Sequence, residues 1–287
     1  MTRDQSSSPS LSATDNLTLA PDADELCRKP RFGKKLLNHL SEHIGLKEAP
    51  LLLNISPIEL AKQWTLLDHA TLSRVRARDM LLNVSKPSRS ATLTDIANKF
   101  NHATCWVAVQ ILKIPNLKKR ALAVSHMIVL AETLLNLTNL HGFIAIITGL
   151  CQHSVSRLHA TWKKVDPAMK KTFDALVALA SPIGNFKQLR SIHDNALPPF
   201  VPTPAMFLRD LLFVIDGNGG SFVQNSIIKT DMILLCRKVL SRVQSSQQVS
   251  YKFWGVDSIQ QLIQSGKCLT NEELDSLSER VESGRDL

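Results

Sequence analysis

From Ser56-Pro57 onward, apolar residues return every three or four positions, and no stretch alternates for long enough to make a sheet. In IELAKQWTLLDHATLSRV this spacing puts Leu60, Trp64, Leu67 and Leu72 near one stripe, and in DIANKFNHATCWVAVQIL it does the same for Ile96, Phe100, Ala103, Val107 and Leu112. Further helices are predicted at 119–136, 142–151, 167–180, 185–193, 205–215 and about 225–245, with a last one opening at TNEELDSLSERVES. The start and stop signals agree with this pattern. Ser56 before Pro57 suits a first turn, with the hydroxyl as its cap. Thr270 and Glu273 have capping-box spacing, and GNGG at 217–220 ends a helix. ALPPFVPTP at 196–204 is a proline-rich break. The pattern predicts an all-α fold.

Residues 1–24, rich in Ser, Thr, Asp and Pro, read as a disordered tail. Residues 25–49 carry Arg28, Lys29, Arg31, Lys34 and Lys35 and then LLNHLSEHIGL, a short basic amphipathic segment. The main domain spans 50–284. Hydrophobic residues are 44% of the 287 and aromatics 5%, so Leu, Ile, Val and Ala must fill the core. The formal net charge of +9 invites a nucleic-acid reading, but the basic residues are scattered, the longest cluster being Lys118, Lys119 and Arg120. The plainest reading of the charge is a solvated surface, and a middle one is attraction to an anionic membrane face or an acidic partner.

Cys27, Cys105, Cys151, Cys236 and Cys268 are odd in number and far apart, which suits reduced thiols in the cytoplasm. Cys105, Cys151 and Cys236 have apolar neighbours and read as small core residues. There is no secretory h-region, and no run reaches the length of a membrane span. The most apolar stretch, Ala121 to Leu150, is broken by polar residues and reads as two buried helices with a turn near Asn139 to Gly142. The nine histidines form no HExxH motif, and GxSxG, Walker and GxGxxG motifs are missing. No metal, cofactor or covalent chemistry is expected.

Seven segments in a fixed order add a resemblance: SPIELAKQWTLLD, FNHATCW with Asn101 and Trp106, LKKRALAVSHMIVLAETLLNLTNLHG, GLCQHSVSRLHATW, NFKQLR, PPFVPTPAMFLRDLLFVIDGN and TNEELDSLSERVES. Together, over roughly residues 50 to 284, they resemble the catalytic domain of Ras-type guanine nucleotide exchange factors, the RasGEF family. The resemblance implies a helical bundle with a protruding helical hairpin at about 203–248. It implies a regulatory guanine-nucleotide releasing factor rather than a bond-making enzyme, with a Ras-superfamily small GTPase as partner. Leu212 falls where the family places an apolar side chain in the GTPase's magnesium region. Asp216 falls where an acidic one competes with phosphate. Thr203, Phe207, Arg209 and Cys151 fall at GTPase contacts. Arg157, Asn185 and Arg190 are expected to support the fold and the hairpin rather than touch the partner.

Read without the resemblance, Leu212 is a core residue, and Asp216 belongs to the turn at Gly217-Asn218. Leu211, Leu212 and Phe213 are consecutive, so some of them must face inward. The chain also departs from the family pattern. Cys151 stands where asparagine is usual, Pro204-Ala205 replaces Leu-Gly, and Asp216 is shorter than the usual glutamate. These departures open an alternative, a non-catalytic GTPase-binding scaffold or decoy with the same fold. About 50 residues precede the core, fewer than the family's separate helical domain needs, so residues 25–48 stand in for it or the hairpin supports itself. A short divergent version would suit a bacterial effector acting in a host cytosol.

Overall fold

The computed structural model describes residues 53–85, 90–220, 222–224, 227–266 and 268–282. The expected tail at 1–24, the basic segment at 25–49 and Cys27 lie outside the described residues. The helices are α1 (Pro57–Leu72), α2 (Ala77–Ser85), α3 (Ala91–Leu112), α4 (Leu117–Asn136), α5 (Leu140–Cys151), α6 (His153–Ser156), α7 (His159–Lys164), α8 (Pro167–Ala180), α9 (Lys187–Asn195), α10 (Pro204–Gly217), α11 (Thr230–Ser246), α12 (Asp257–Gln264) and α13 (Asn271–Glu282). Between α10 and α11 two short antiparallel strands, β1 (Val223–Gln224) and β2 (Ile227–Ile228), form a small ribbon. The fold is all-α apart from this ribbon, which falls where the sequence pattern had begun the second hairpin helix.

The apolar stripes sort into two cores. The larger is built from α1, α3, α4 and α5 and closed by α8, α12 and α13. Trp64 of α1 and Trp106 of α3 meet edge to face there, with centroids 5.3 Å apart, and the Trp106 indole N–H donates to the Leu262 carbonyl at 3.2 Å. Gly149 lets α5 approach α3 closely, because a Cβ there would stand 2.7 Å from Val107 Cβ and 2.8 Å from the Thr104 carbonyl. The smaller core joins Leu72, Val75, Met80, Leu93 and Ile96 to Phe207, Leu211 and Ile215 of α10 and Met232, Cys236, Leu240 and Val243 of α11. The hairpin therefore packs mostly on the start of α3 and on α2, while Met206 of α10 reaches the main core.

Asn139 ties α1 to α5 within the main core. Its Oδ1 accepts from Gly142 N at 2.9 Å, capping α5, while its Nδ2 donates to Asp68 at 2.9 Å and to Thr65 at 3.3 Å. Beside it, Leu140 N donates to the Val201 carbonyl and Val201 N to the Thr138 carbonyl, both at 2.9 Å. These two bonds hold the proline-rich segment against the main core just before α10 begins. After α11, the Gln247 amide donates to the Leu72 and Val75 carbonyls at 3.0 and 2.8 Å, and Tyr251 OH to the Leu137 carbonyl at 2.7 Å. The entry to the hairpin is thus tied to the α4–α5 turn, and its exit to that turn and to the end of α1.

Several local expectations are met. Pro57 starts α1 as expected. Thr270 and Glu273 form the reciprocal capping box, at 2.7 and 3.2 Å. The glycines after α10 close a Schellman turn, with Gly220 N on the Ile215 carbonyl at 2.8 Å and positive φ at Gly219 and Gly220. Two expectations need correction. The Ser56 side chain makes no capping bond, and the Pro57 ring with its fixed φ begins the helix without one. Cys151 is exposed at the end of α5, whereas Cys105 and Cys236 are buried.

Candidate functional site

Helix α10 presents two faces. Met206, Phe207, Leu211 and Ile215 point into the protein. Ala205, Arg209, Leu212, Phe213 and Asp216 point out, as 100° per residue requires once Leu211 is inside. Leu212 is 41% exposed and Phe213 56%, unusually open for such side chains. The Arg209 guanidinium lies over the Phe213 ring, 5.7 Å from its centroid. Phe207, expected at a GTPase contact, is only 4% exposed. It packs in the smaller core and edge to face on His193, so it belongs to the support of the hairpin.

The pose of α10 is fixed from its flank. Arg190 on α9 makes a two-point contact with Asp210, Nη1 to Oδ2 at 2.7 Å and Nη2 to Oδ1 at 2.8 Å. Its Nε donates to the Asn185 carbonyl at 2.7 Å, and Nη2 reaches the Met206 carbonyl at 3.5 Å. Gly184, Asn185 and Phe186 all have φ near +60°, a left-handed run that turns the Asn185 carbonyl toward Arg190. The Asn185 Oδ1 has no hydrogen-bond partner among the described residues, so Asn185 supports α10 through its backbone. On the second arm, the Arg242 guanidinium donates to the His193 carbonyl, which links α11 to α9 as well.

Beside the N-terminal half of α10 lies an apolar groove of about 530 Å³. Leu93, Ile96, Phe100, Ile144, Phe186, Pro204 and Leu208 supply its walls, with Asn101, His141 and Thr203 among its polar groups. His141 packs on Phe100, and burial pushes its pKa down to about 4, so this wall is uncharged at neutral pH. Thr203 is buried at the start of α10 and makes no side-chain capping bond.

Thr203, Arg209, Leu212 and Asp216 are therefore on one helix, with Asn185 and Arg190 on its flank. Cys151 is elsewhere, about 15 Å along α5 from His141 at the groove. Arg157 bonds Glu279 of α13 at 3.1 Å, so it supports the C-terminal helix and not the hairpin. The sequence reading missed Phe213 as an outward residue, and it also missed Ile233, Leu234 and Leu235, which are exposed on α11. The signal was present in both cases: three consecutive large apolar residues cannot all enter one core. Among the described residues no group of three His, Cys, Asp or Glu side chains is placed to hold a metal ion, and no helix is long and apolar enough to cross a membrane.

The family model described as RasGEF domain matches residues 59–244, from the first turn of α1 to the last turns of α11, so both hairpin helices are included. This chain belongs to the RasGEF family. Its RasGEF domain is similar to the Ras guanine nucleotide exchange factor D of Dictyostelium discoideum, 29% identical over 80% of this chain and 35% of that protein. It is also similar to the mouse Ras-specific guanine nucleotide-releasing factor 2, 28% identical over 79% of this chain and 20% of that protein. A third relative, the Dictyostelium Ras guanine nucleotide exchange factor P, is 30% identical over 72% of this chain and 14% of its own length. The chain thus spans about a third or less of these relatives.

Proposed function

We propose that this RasGEF domain accelerates GDP release from a Ras-superfamily GTPase, using the outward face of α10 as the displacing element. The observation that carries this reading is the exposure of Leu212 and Asp216, one turn apart on a helix whose opposite face is locked into a core. A protruding leucine displaces water and excludes a hydrated metal ion from a phosphate site. A carboxylate one turn on competes for the backbone amides that hold phosphate. GTPase affinities for nucleotide and for exchange factor then fall reciprocally, and free GTP refills the emptied site. The groove at Phe100, Ile144 and Leu208 accepts an apolar side chain of the GTPase beside the inserting face, and Arg209 meets an acidic one. Residues 50–284 form the exchange unit in this proposal, with a cytosolic site of action.

The test is release of a fluorescent GDP analogue from Ras, Rap, Ral, Rab and Rho GTPases, with substoichiometric protein and excess GTP. Leu212→Ala and Asp216→Ala each lower the exchange rate about tenfold or more, equivalent to about 1.4 kcal/mol of lost transition-state contact. Neither variant shifts the unfolding midpoint appreciably, because both side chains are exposed. A double variant as active as the parent refutes the assignment. The scaffold reading draws on the shorter Asp216 and on Cys151; a stable complex with nucleotide-loaded GTPase and unchanged release establishes it instead.

A further inference from the structure

Helix α11 buries Met232, Cys236, Leu240 and Val243, a single stripe at spacings of four, four and three. At 100° per residue, Leu234 points directly away from that stripe, with Ile233 and Leu235 about 100° to either side of it. The three are 42%, 54% and 46% exposed, with Leu234 the most open. Three consecutive branched apolar side chains thus fan out over one turn of the helix that follows the hairpin's ribbon. Arg237 and Lys238, three and four residues after Leu234, are exposed on the same outward face. Neither side chain is paired among the described residues. The first-turn Asp231 is the only acidic residue of α11.

We propose that this outer face of α11 docks onto an anionic lipid surface, with Ile233, Leu234 and Leu235 entering the interface and Arg237 and Lys238 at the headgroups. Charge and shape together decide among the possible occupants. In a two-fold contact about Leu234, Arg237 meets the other copy's Asp231 but Lys238 finds no acidic partner on α11, and two convex turns of diverging side chains do not interdigitate. The basic segment at residues 28–35 carries five positive charges and is repelled by Arg237 and Lys238. An anionic partner is the complement, and shape favours lipid over protein. The three side chains diverge from a convex turn and line none of the grooves found among the described residues, so a rigid protein surface would have to wrap around them. A fluid interface accepts diverging apolar groups above a basic shoulder without any preformed fit. The hairpin would then present its α10 face at a fixed height and orientation above the membrane.

Co-sedimentation of the full chain with phosphatidylcholine vesicles, with and without phosphatidylserine, tests this. Binding to the anionic vesicles is expected, weakening about fivefold for each positive charge removed from the face. The triple variant Ile233→Ser, Leu234→Ser, Leu235→Ser is expected to lose about tenfold or more. Its circular dichroism stays helical and its melting midpoint falls only slightly, because these side chains lie outside the two cores. A companion variant with Arg28, Lys29, Arg31, Lys34 and Lys35 changed to Gln isolates the hairpin's share. Three results overturn the proposal: no binding to anionic vesicles, undiminished binding by the triple-serine variant, or a concentration-dependent dimer that this variant abolishes. No GTPase enters this assay, so its outcome is independent of the exchange reading.

Discussion

Removing the Arg190 clamp on α10 has a calculable cost. Arg190→Ala deletes two charge-assisted bonds to Asp210, at 2.7 and 2.8 Å, and one to the Asn185 carbonyl at 2.7 Å. The two side chains are 26% and 22% exposed, between a surface pair worth at most about 1 kcal/mol and a buried pair whose disruption costs about 3–5 kcal/mol. Water can reach Asp210 once Arg190 is gone, which places the loss at about 2–3 kcal/mol. Asp210→Ala leaves the Asn185 bond in place and costs about 1–2 kcal/mol. The double-mutant cycle should therefore give a coupling of about 1.5 kcal/mol. Arg190→Lys keeps the charge but not the two-point geometry and recovers less than half of the loss. Urea unfolding of the four proteins measures the cycle. Nucleotide release under conditions where all four are folded should fall with Arg190→Ala, because α10 loses its lateral restraint. A coupling below about 0.3 kcal/mol, or a lysine variant as stable as the parent, would refute the clamp.

Other perturbations reach the main core. Gly149→Ala should destabilise by about 2 kcal/mol despite alanine's better helix propensity, because the new methyl meets the Thr104 carbonyl and Val107; thermal melting checks this. Arg120 is 2% exposed and donates to Thr161 Oγ1 at 2.8 Å and to the Ile114 and Pro115 carbonyls at 2.8 and 2.9 Å, so Arg120→Ala, which leaves these acceptors unpaired beside a cavity, should cost about 3 kcal/mol in urea. Burial holds His126 and His141 at about 4 instead of 6.5. Below pH 6.5 the unfolded chain therefore takes up protons that the fold refuses, and stability present above pH 6.5 is lost as pH falls toward 4; His141→Gln should flatten that limb in pH-dependent urea titrations. Asp68 has the opposite sign. Burial raises it from 3.8 to about 7, so its contribution is full below pH 3.8 and lost as pH rises through 7, and Asp68→Asn should raise the urea midpoint at pH 8 more than at pH 5.

Helix content was legible in the sequence because the 3.6-residue period, the first-turn proline and the capping box are local signals. The helix expected at 167–180 is α8, Pro167–Ala180. The ribbon at 223–228 escaped because four residues of pairing leave no alternation to detect. Phe207 was misplaced because a linear pattern does not say which of several apolar residues on one helix faces a partner and which a neighbouring helix. The same limit hid the exposure of Cys151.

By itself the sequence determined an all-α chain and a break before α10. Those are properties of residue order and short-range geometry. Only the tertiary structure decided that Leu211 is inside while Leu212 and Phe213 are outside, that Arg190 holds Asp210 from a separate helix, and that Arg157 serves the C-terminal helix rather than the hairpin. Each of these depends on contacts between segments distant along the chain or on helices packed side by side. Burial and partner choice are set by which surfaces meet when the helices pack, and that information is absent from any single stretch of sequence.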